Sequence, residues 1–149
     1  MIYEDLLNKN AKLALVGLGY VGLPIALEFA KRVKVVGFDI NQARVDMMRR
    51  GEDPSRELEA SDFVDRDITF TAEINDLADV NFFIVAVPTP IDETNLPDLK
   101  PLQGASRTVG KVLKKGDIVI YESTVYPGVT EDEMVPVLEK ISGLAFNKD

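Results

Sequence analysis

Short apolar runs alternate with segments of helical periodicity along this chain of 149 residues. Nearly continuous apolar runs are typical of strands that are buried on both faces of a parallel sheet. Such runs lie at 13–16, 33–38, 81–87 and 117–121, with a shorter strand predicted at 68–71. Between them, apolar residues at helical spacing predict helices over 23–30, 41–50, 101–114 and 130–142, and a brief one over 73–78. The alternation of strands and helices with short loops predicts an α/β fold with a doubly wound parallel sheet.

Residues at the helix ends support several of these boundaries. Asn41 is a candidate N-cap for the second helix of the alternation, and Gly51 follows that helix as a stop. Thr130, with Glu133 three residues later, predicts a capping box that opens the last helix, and Gly143 ends it.

Three segments lie outside the alternation. Residues 1–11 predict an amino-terminal arm or a short helix, which precedes a domain over 12–149. The polar segment 51–67 predicts a connecting excursion with one short helix, in which the acidic residues form a solvated face. The apolar residues 144–146 predict the start of a further strand, with neither a cap nor a tail after it. We therefore expect the chain to be a fragment of a longer protein.

A glycine motif, Gly17-Leu18-Gly19-Tyr20-Val21-Gly22, joins the first strand to the first helix of the alternation. Gly17 permits a tight turn, Gly19 lets the backbone approach a phosphate, and Gly22 lets the helix pack closely on the strand. The first N–H groups of a helix have no internal partners, and the helix dipole adds partial positive charge there, so a pyrophosphate suits this position. Taken alone, the motif is equally compatible with a glycine turn that binds nothing.

A carboxylate follows the second predicted strand. Asp39 lies 22 residues after Gly17, close to the spacing of about 20 at which an acid holds the adenosine ribose hydroxyls of a dinucleotide. Strand, glycine turn, helix, strand and acid together predict a dinucleotide site. An ionised Asp39 repels the 2′-phosphate of NADP, so NAD is the predicted cofactor. Arg44 is either a solvated charge or a group that lies over the adenosine end of the dinucleotide. In the second case its guanidinium can pair with a 2′-phosphate, so NADP stays an alternative cofactor.

Hydroxyl side chains leave two more predicted strands at their carboxyl ends, where ligands bind in doubly wound folds. The fourth strand runs out through Val87 and Pro88 to Thr89, and the prolines on either side of Thr89 hold its backbone extended. The fifth strand is followed by Ser123 and Thr124 before a Pro-Gly turn. We take these residues as candidate site residues, with ordinary turn chemistry as the alternative for Ser123 and Thr124.

Composition narrows the possible functions. The chain is 46% hydrophobic, enough for one core, and has no run near the ~18 apolar residues of a membrane helix and no recognisable leader. It has no cysteine and no histidine, so we predict no disulfide and no metal site. The formal charge of −8 disfavours nucleic acid and anionic membranes as partners. We expect a soluble, cytoplasmic protein whose partner is a small molecule.

Four motifs in this order resemble the amino-terminal domain of the UDP-glucose/GDP-mannose dehydrogenase family. They are residues 17–24, residues 38–40 with Arg44, residues 87–90, and residues 122–131. The resemblance covers about residues 12–149 and implies a Rossmann-type NAD-binding domain. The amino-acid sequence of residues 126–131 and 142–144 is most similar to that of the branch that oxidises UDP-N-acetylhexosamines for surface-polysaccharide synthesis.

The resemblance implies a reaction. Family members oxidise the C6 hydroxymethyl of a UDP-sugar, such as a UDP-N-acetylhexosamine or UDP-glucose, to a carboxylate with two NAD per sugar nucleotide. They commonly dimerise through a central helix, so a homodimer is expected of the full-length protein, while the state of this fragment stays open.

The resemblance also implies a role for matched residues. Tyr20 and Val21 present backbone to the pyrophosphate, Asp39 holds the adenosine ribose, and Arg44 packs by the adenine end.

At the other end of the dinucleotide, Thr89 lies along the cofactor beside Val87 and Pro88. Thr124, next to Ser123, is implied to lie nearest the nicotinamide and to hold the water used in the second half of the reaction, a supporting catalytic role.

The chain departs from the family in one respect. The family's cysteine nucleophile, its lysine, asparagine and aspartate partners and most of the UDP-sugar pocket correspond to residues beyond this chain, which has no cysteine. Two other interpretations stay open: another two-domain NAD-dependent dehydrogenase, such as a hydroxyacyl-CoA or phosphogluconate dehydrogenase, or a nucleotide-sensing module without catalysis. The motifs at 88–90 and 123–125 argue against the first of these.

We expect the 149-residue chain to bind NAD without turnover, because a thiohemiacetal cannot form on a chain that has no cysteine. The measurement is NADH production from NAD and UDP-N-acetylglucosamine, followed by absorbance. Appreciable turnover by the purified chain would contradict this expectation.

Overall fold

Five parallel strands form the sheet of the computed structural model, which describes residues 2–88, 90, 93–94, 96, 98–122 and 133–148. The strands are β1 (Leu13–Val16), β2 (Val35–Phe38), β3 (Ile68–Thr71), β4 (Phe82–Val85) and β5 (Ile118–Tyr121). Their order across the sheet is β3-β2-β1-β4-β5. The chain therefore adds strands outward on one side of β1 and then on the other, as in a doubly wound sheet.

Helices cover both faces of this sheet. They are α1 (Ile2–Leu7), α2 (Gly22–Phe29), α3 (Gln42–Arg49), α4 (Lys100–Val112) and α5 (Val135–Ser142), with 3₁₀ turns at Ala60–Phe63 and Ile74–Leu77. The first three helices bury apolar residues in one core, and α4 and α5 bury theirs in a second core. The fold class predicted from the sequence is confirmed.

Strand β1 separates the two cores. Leu13 and Leu15 belong to the core under α1–α3, whereas Ala14 and Val16 belong to the core under α4 and α5. This alternation follows from the two-residue period of a strand. All four residues are at most 2% exposed, which explains why the strand is apolar at every position.

Several predicted boundaries are confirmed by local geometry. The side-chain oxygen of Asn41 accepts a hydrogen bond from the backbone N–H of Arg44 at 3.2 Å, so Asn41 caps α3. Gly51 follows α3 with φ of +76°, the left-handed backbone that ends a helix. The amino-terminal segment is a helix, and the polar segment 51–67 contains one short 3₁₀ turn as predicted.

Two other predictions were wrong, and one remains untested. The helix predicted over 73–78 is only the 3₁₀ turn Ile74–Leu77. The last α-helix spans Val135–Ser142, and Thr130, on which its predicted start and capping box depend, lies outside the described residues, so that start stays a prediction. Asp53, predicted as part of a solvated acidic face, is only 8% exposed.

The strand predicted at residues 144–146 is also wrong. The chain folds back on the end of α5 instead, because the hydroxyl of Ser142 accepts from the N–H of Leu144 at 3.1 Å. The carboxylate of Glu139 accepts from the N–H of Phe146 at 3.1 Å. These local hydrogen bonds use the backbone groups that a strand would need for its neighbours.

Helices α4 and α5 meet at a glycine. A Cβ added at Gly110 would lie 2.9 Å from Cβ of Ile141 and 3.0 Å from its Cγ2. The backbone of α5 fixes the Cβ of Ile141, and a β-branched side chain has little freedom about χ1 in a helix, so neither atom moves away easily. The missing side chain of Gly110 therefore sets how closely the two helices approach.

We expect Gly110→Ala to lower the free energy of unfolding by about 1–3 kcal/mol, the usual cost of overpacking. Gly104→Ala is the matched control in the same helix, since a Cβ there meets nothing within 4 Å. It should raise the free energy of unfolding by about 0.5–1 kcal/mol, through lower chain entropy. Urea unfolding measures both changes, and equal effects of the two substitutions would contradict the close packing of α4 on α5.

Candidate cofactor-binding site

An open cavity of about 1270 Å³ lies along the carboxyl ends of the strands. It spans the boundary between β1 and β4, where the chain reverses the direction in which it adds strands, the usual ligand position in such sheets. The walls come from the turn after β1, the turn after β2, the ends of β4 and β5, and α4. The lining residues proposed from the sequence are Gly17, Gly19, Tyr20, Val21, Asp39, Arg44, Val87 and Pro88.

The glycine turn is fixed by two close approaches. Gly17 has φ of +99°, and a Cβ there would lie 2.8 Å from Cγ1 of Val87. A Cβ on Gly22 would lie 1.9 Å from the carbonyl oxygen of Gly17. The start of α2 can therefore meet the turn only when both positions are glycine. At Gly19, by contrast, a Cβ would meet nothing within 4 Å, so space lies above the backbone there.

The start of α2 presents unpaired donors to the cavity. Among the described residues, the N–H groups of Tyr20 and Val21 have no hydrogen-bond acceptor. Val21, the residue before α2, provides no side-chain cap, and the first turn of α2 carries no acidic residue. The helix dipole adds partial positive charge at this point. These donors and this field fit a phosphate.

Asp39 connects the glycine turn to the turn after β2. One carboxylate oxygen accepts from the N–H of Leu18 at 3.2 Å, and the other accepts from the N–H of Asn41 at 2.9 Å. The side chain is 14% exposed. Each oxygen keeps a further lone pair, so the carboxylate can also accept from two ribose hydroxyls.

Arg44 lies across the same corner of the cavity. Its Nη2 donates to the carbonyl oxygen of Leu18 at 3.1 Å, and its Nε lies 3.9 Å from the carboxylate of Asp39. The side chain is 30% exposed. Arg44 is therefore neither a fully solvated charge nor a free guanidinium, because it ties α3 to the glycine turn.

The part of the cavity beside β4 is described only in part. Val87 and Pro88 line it together with Ala86. Thr89, Ser123 and Thr124 lie outside the described residues, so their roles remain predictions.

Some lining residues had not been identified from the sequence. They include Ile40 and Asn41 beside Asp39, Ser55 in the loop after α3, and Lys100, Gly104 and Thr108 on α4. Ile40 carried a signal in the sequence, because it belongs to the family-like motif at residues 38–40, and its side chain is 85% exposed. Ser55 carried none, because it lies in a polar loop whose backbone path depends on tertiary contacts.

A buried polar cluster lies behind β5. The hydroxyl of Tyr121 lies 2.7 Å from that of Ser106, which donates to the carbonyl oxygen of Leu102 at 2.9 Å. Ser106 also lies 3.4 Å from the sulfur of Met134, next to α5. Burial raises the pKa of Tyr121 to about 12, and the hydrogen bond with Ser106 opposes part of that rise. The phenol is therefore neutral at physiological pH.

The described residues also bear on two other kinds of site. They contain no group of three or more acidic side chains arranged to hold a metal ion. None of their helices combines the length and the apolar composition needed to cross a bilayer.

Comparison with known families decides the affiliation. Residues 11–148 match the model of the UDP-glucose/GDP-mannose dehydrogenase family, NAD binding domain. The chain belongs to the UDP-glucose/GDP-mannose dehydrogenase family. The resemblance in the sequence motifs is thereby confirmed, and the cofactor of this family domain is NAD.

Relatives in the family are similar over nearly the whole chain. The UDP-N-acetyl-D-glucosamine 6-dehydrogenase of Pseudomonas aeruginosa is 60% identical over 142 residues, which cover 95% of this chain and 34% of that protein. The UDP-N-acetyl-D-mannosamine dehydrogenase of Campylobacter jejuni is 39% identical, over 94% of this chain and 35% of that protein. The chain thus spans about a third of the length of these relatives.

A solved structure in the family shares the fold. The NDP-N-acetyl-D-galactosaminuronic acid dehydrogenase of Methanosarcina mazei Go1 superposes with a TM-score of 0.87 at 32% identity. The match covers 98% of this chain and 35% of that one.

We expect Tyr121 to ionise at a higher pH than an unfolded tyrosine. Unfolded tyrosine ionises near pH 10, whereas Tyr121 does so at about 12. Between these values the unfolded state has lost a proton that the folded state keeps, so stability falls as pH rises from about 10 to about 12, by at most ~1.4 kcal/mol per unit. Tyr121→Phe should remove both that share of the fall and the late tyrosinate absorbance.

Tyr3→Phe is the control, since the side chain of Tyr3 is 68% exposed. It should leave the late component of the absorbance titration in place. A late component that persists in Tyr121→Phe would contradict the burial of this phenol.

Proposed function

We propose that the chain is the NAD-binding domain of a UDP-N-acetylhexosamine 6-dehydrogenase. The parent enzyme oxidises the C6 hydroxymethyl of the sugar to a carboxylate with two NAD, for surface-polysaccharide synthesis. The observation that carries the proposal is the pairing of Asp39 with the uncapped start of α2 across one cavity. The 60% identity to a UDP-N-acetyl-D-glucosamine 6-dehydrogenase supports the choice of substrate class.

The cavity gives the cofactor a direction. The adenosine ribose lies against Asp39, with the adenine toward Ile40 and Arg44. The pyrophosphate takes the N–H groups of Tyr20 and Val21 over the open space at Gly19. The nicotinamide then lies toward Val87 and Pro88, with Thr89, Ser123 and Thr124 as its proposed neighbours.

The chain's own part in the reaction is binding and orientation. When bound, NAD supplies the acceptor for the hydride removed from C6 in each oxidation. The turn at Gly17 and Gly22 holds the pyrophosphate donors in place before the cofactor arrives, so little ordering cost falls on binding. Thr124 is proposed to hold the water of the second oxidation.

Charge at the adenosine end favours NAD over NADP. A 2′-phosphate at Asp39 would meet a carboxylate whose two oxygens already accept backbone N–H groups and which cannot turn away. Arg44 gives little help, because its guanidinium already donates to Leu18 and lies beside Asp39. The structure thus supports NAD rather than NADP as the cofactor, a choice that Arg44 had left open in the sequence.

The setting of the parent enzyme follows from the same proposal. Its substrates, a dinucleotide and a UDP-sugar, are small soluble molecules, so we place it in the cytoplasm. We also propose that it forms a homodimer through parts that correspond to the remaining two thirds of its relatives.

Asp39→Asn should weaken NAD binding about tenfold, since it removes the charge that favours the ribose hydroxyls while keeping the side-chain shape. The same change should narrow the preference for NAD over NADP, because the repulsion of the 2′-phosphate goes with the charge. Calorimetric titration of both cofactors measures these effects.

Asp46→Asn is the matched control, an exposed acid on α3 that does not line the cavity. It should leave both affinities within twofold of the unaltered chain. Equal affinities of the unaltered chain for NAD and NADP, or no loss with Asp39→Asn, would overturn the role given to Asp39.

A further inference from the structure

A buried carboxylate organises the loop that follows α3. Asp53 is 8% exposed. One oxygen accepts from the N–H of Ser55 at 2.8 Å, and the other accepts from the N–H groups of Glu57 and Leu58, both at 2.9 Å. Among the described residues no cation pairs with Asp53, so backbone donors hold this charge.

The hydrogen bonds impose a specific backbone on the loop. Arg56 adopts φ of +58°, a left-handed conformation that a residue with a side chain takes at some cost. Its N–H donates to the carbonyl oxygen of Asp53 at 3.0 Å. Charge-assisted bonds to a carboxylate are the stronger kind, which explains how they hold this conformation.

The same loop reaches the cavity. Ser55 lines the same cavity as Asp39, Ile40 and Arg44. On its other side, Leu58 packs against the core under α1–α3. The carboxylate of Asp53 thus lies between an anchor in the core and a residue in the cavity wall.

We propose that Asp53 is a positioning residue that holds Ser55 as the outer wall of the adenosine pocket. The adenine ring then lies between this wall and the corner at Ile40 and Arg44. The inference rests on the proposed function, which places adenosine at Asp39. A wall that is fixed before the ligand arrives adds contact without an ordering cost.

Removing the carboxylate tests this role. Asp53→Ala should weaken binding of NAD and of AMP by the same factor, about tenfold, because the loss falls on the adenosine moiety that the two ligands share. Asp62→Ala is the matched control: Asp62 also accepts a loop N–H, that of Glu59 at 2.9 Å, but does not line the cavity. It should change neither affinity by more than twofold.

A second variant tests the location of the wall without altering Asp53. The chain has no tryptophan, so Ser55→Trp introduces an indole whose fluorescence reports the loop alone. Saturating AMP should quench this emission, because adenine stacks on aromatic rings, or the folded variant should no longer bind AMP because the indole fills its place. Asp62→Trp, outside the cavity, should bind AMP with unchanged emission.

The outcomes separate the two proposals. Loss of NAD and AMP affinity with Asp39→Asn, but not with a folded Asp53→Ala, overturns the positioning role alone. A Ser55→Trp variant that binds AMP with unchanged indole emission also overturns the positioning role alone. Unchanged affinities with Asp39→Asn overturn the placement of adenosine and this inference with it. If Asp53→Ala does not fold, the emission of Ser55→Trp decides the position of the wall.

Discussion

The carboxylate of Asp39 holds together the part of the molecule on which the cavity depends. It accepts one backbone N–H from the glycine turn and one from the turn before α3. Arg44 closes the same corner by donating to the carbonyl oxygen of Leu18. The glycine turn and the segment that leads from β2 into α3 are thus fixed to each other by a single charged pair and its backbone partners, although Leu18 and Asp39 are 21 residues apart in sequence. The ribose hydroxyls of the proposed cofactor would use acceptors that the fold has already placed.

The sequence predicts those features of the fold that local chemistry determines. The strands were found because residues such as Ala14 and Leu15 are buried on opposite faces of one sheet, which leaves no polar position. Asn41 was found because a side-chain oxygen at a helix start satisfies a backbone donor. The glycine turn and Asp39 were found because their spacing reflects one strand, one helix and a second strand. Each of these signals lies within about thirty residues of chain.

Features that depend on distant contacts were not found. Asp53 lies in a polar, acidic segment typical of a solvated face, and its burial follows from the way its loop folds onto the core at Leu58. Ser55 becomes part of the cavity wall for the same reason. At the carboxyl end, the apolar residues 144–146 have the composition of a strand, but hydrogen bonds to Glu139 and Ser142 hold them at the end of α5. The amino-acid composition of residues 144–146 does not indicate that these hydrogen bonds replace the pairing of a strand.

The position of β1 has a consequence for how the site opens. Its register is shared with both neighbours, so that Leu15 lies opposite Gly37 on one side and Ile84 on the other. The glycine turn and Asp39 follow β1 and β2 directly, and Val87 lies two residues after the end of β4. A local fluctuation cannot separate these walls unless it breaks a hydrogen-bond ladder in the middle of the sheet, and such openings have free energies close to that of global unfolding. The inner walls of the cavity are therefore about as long-lived as the folded state itself.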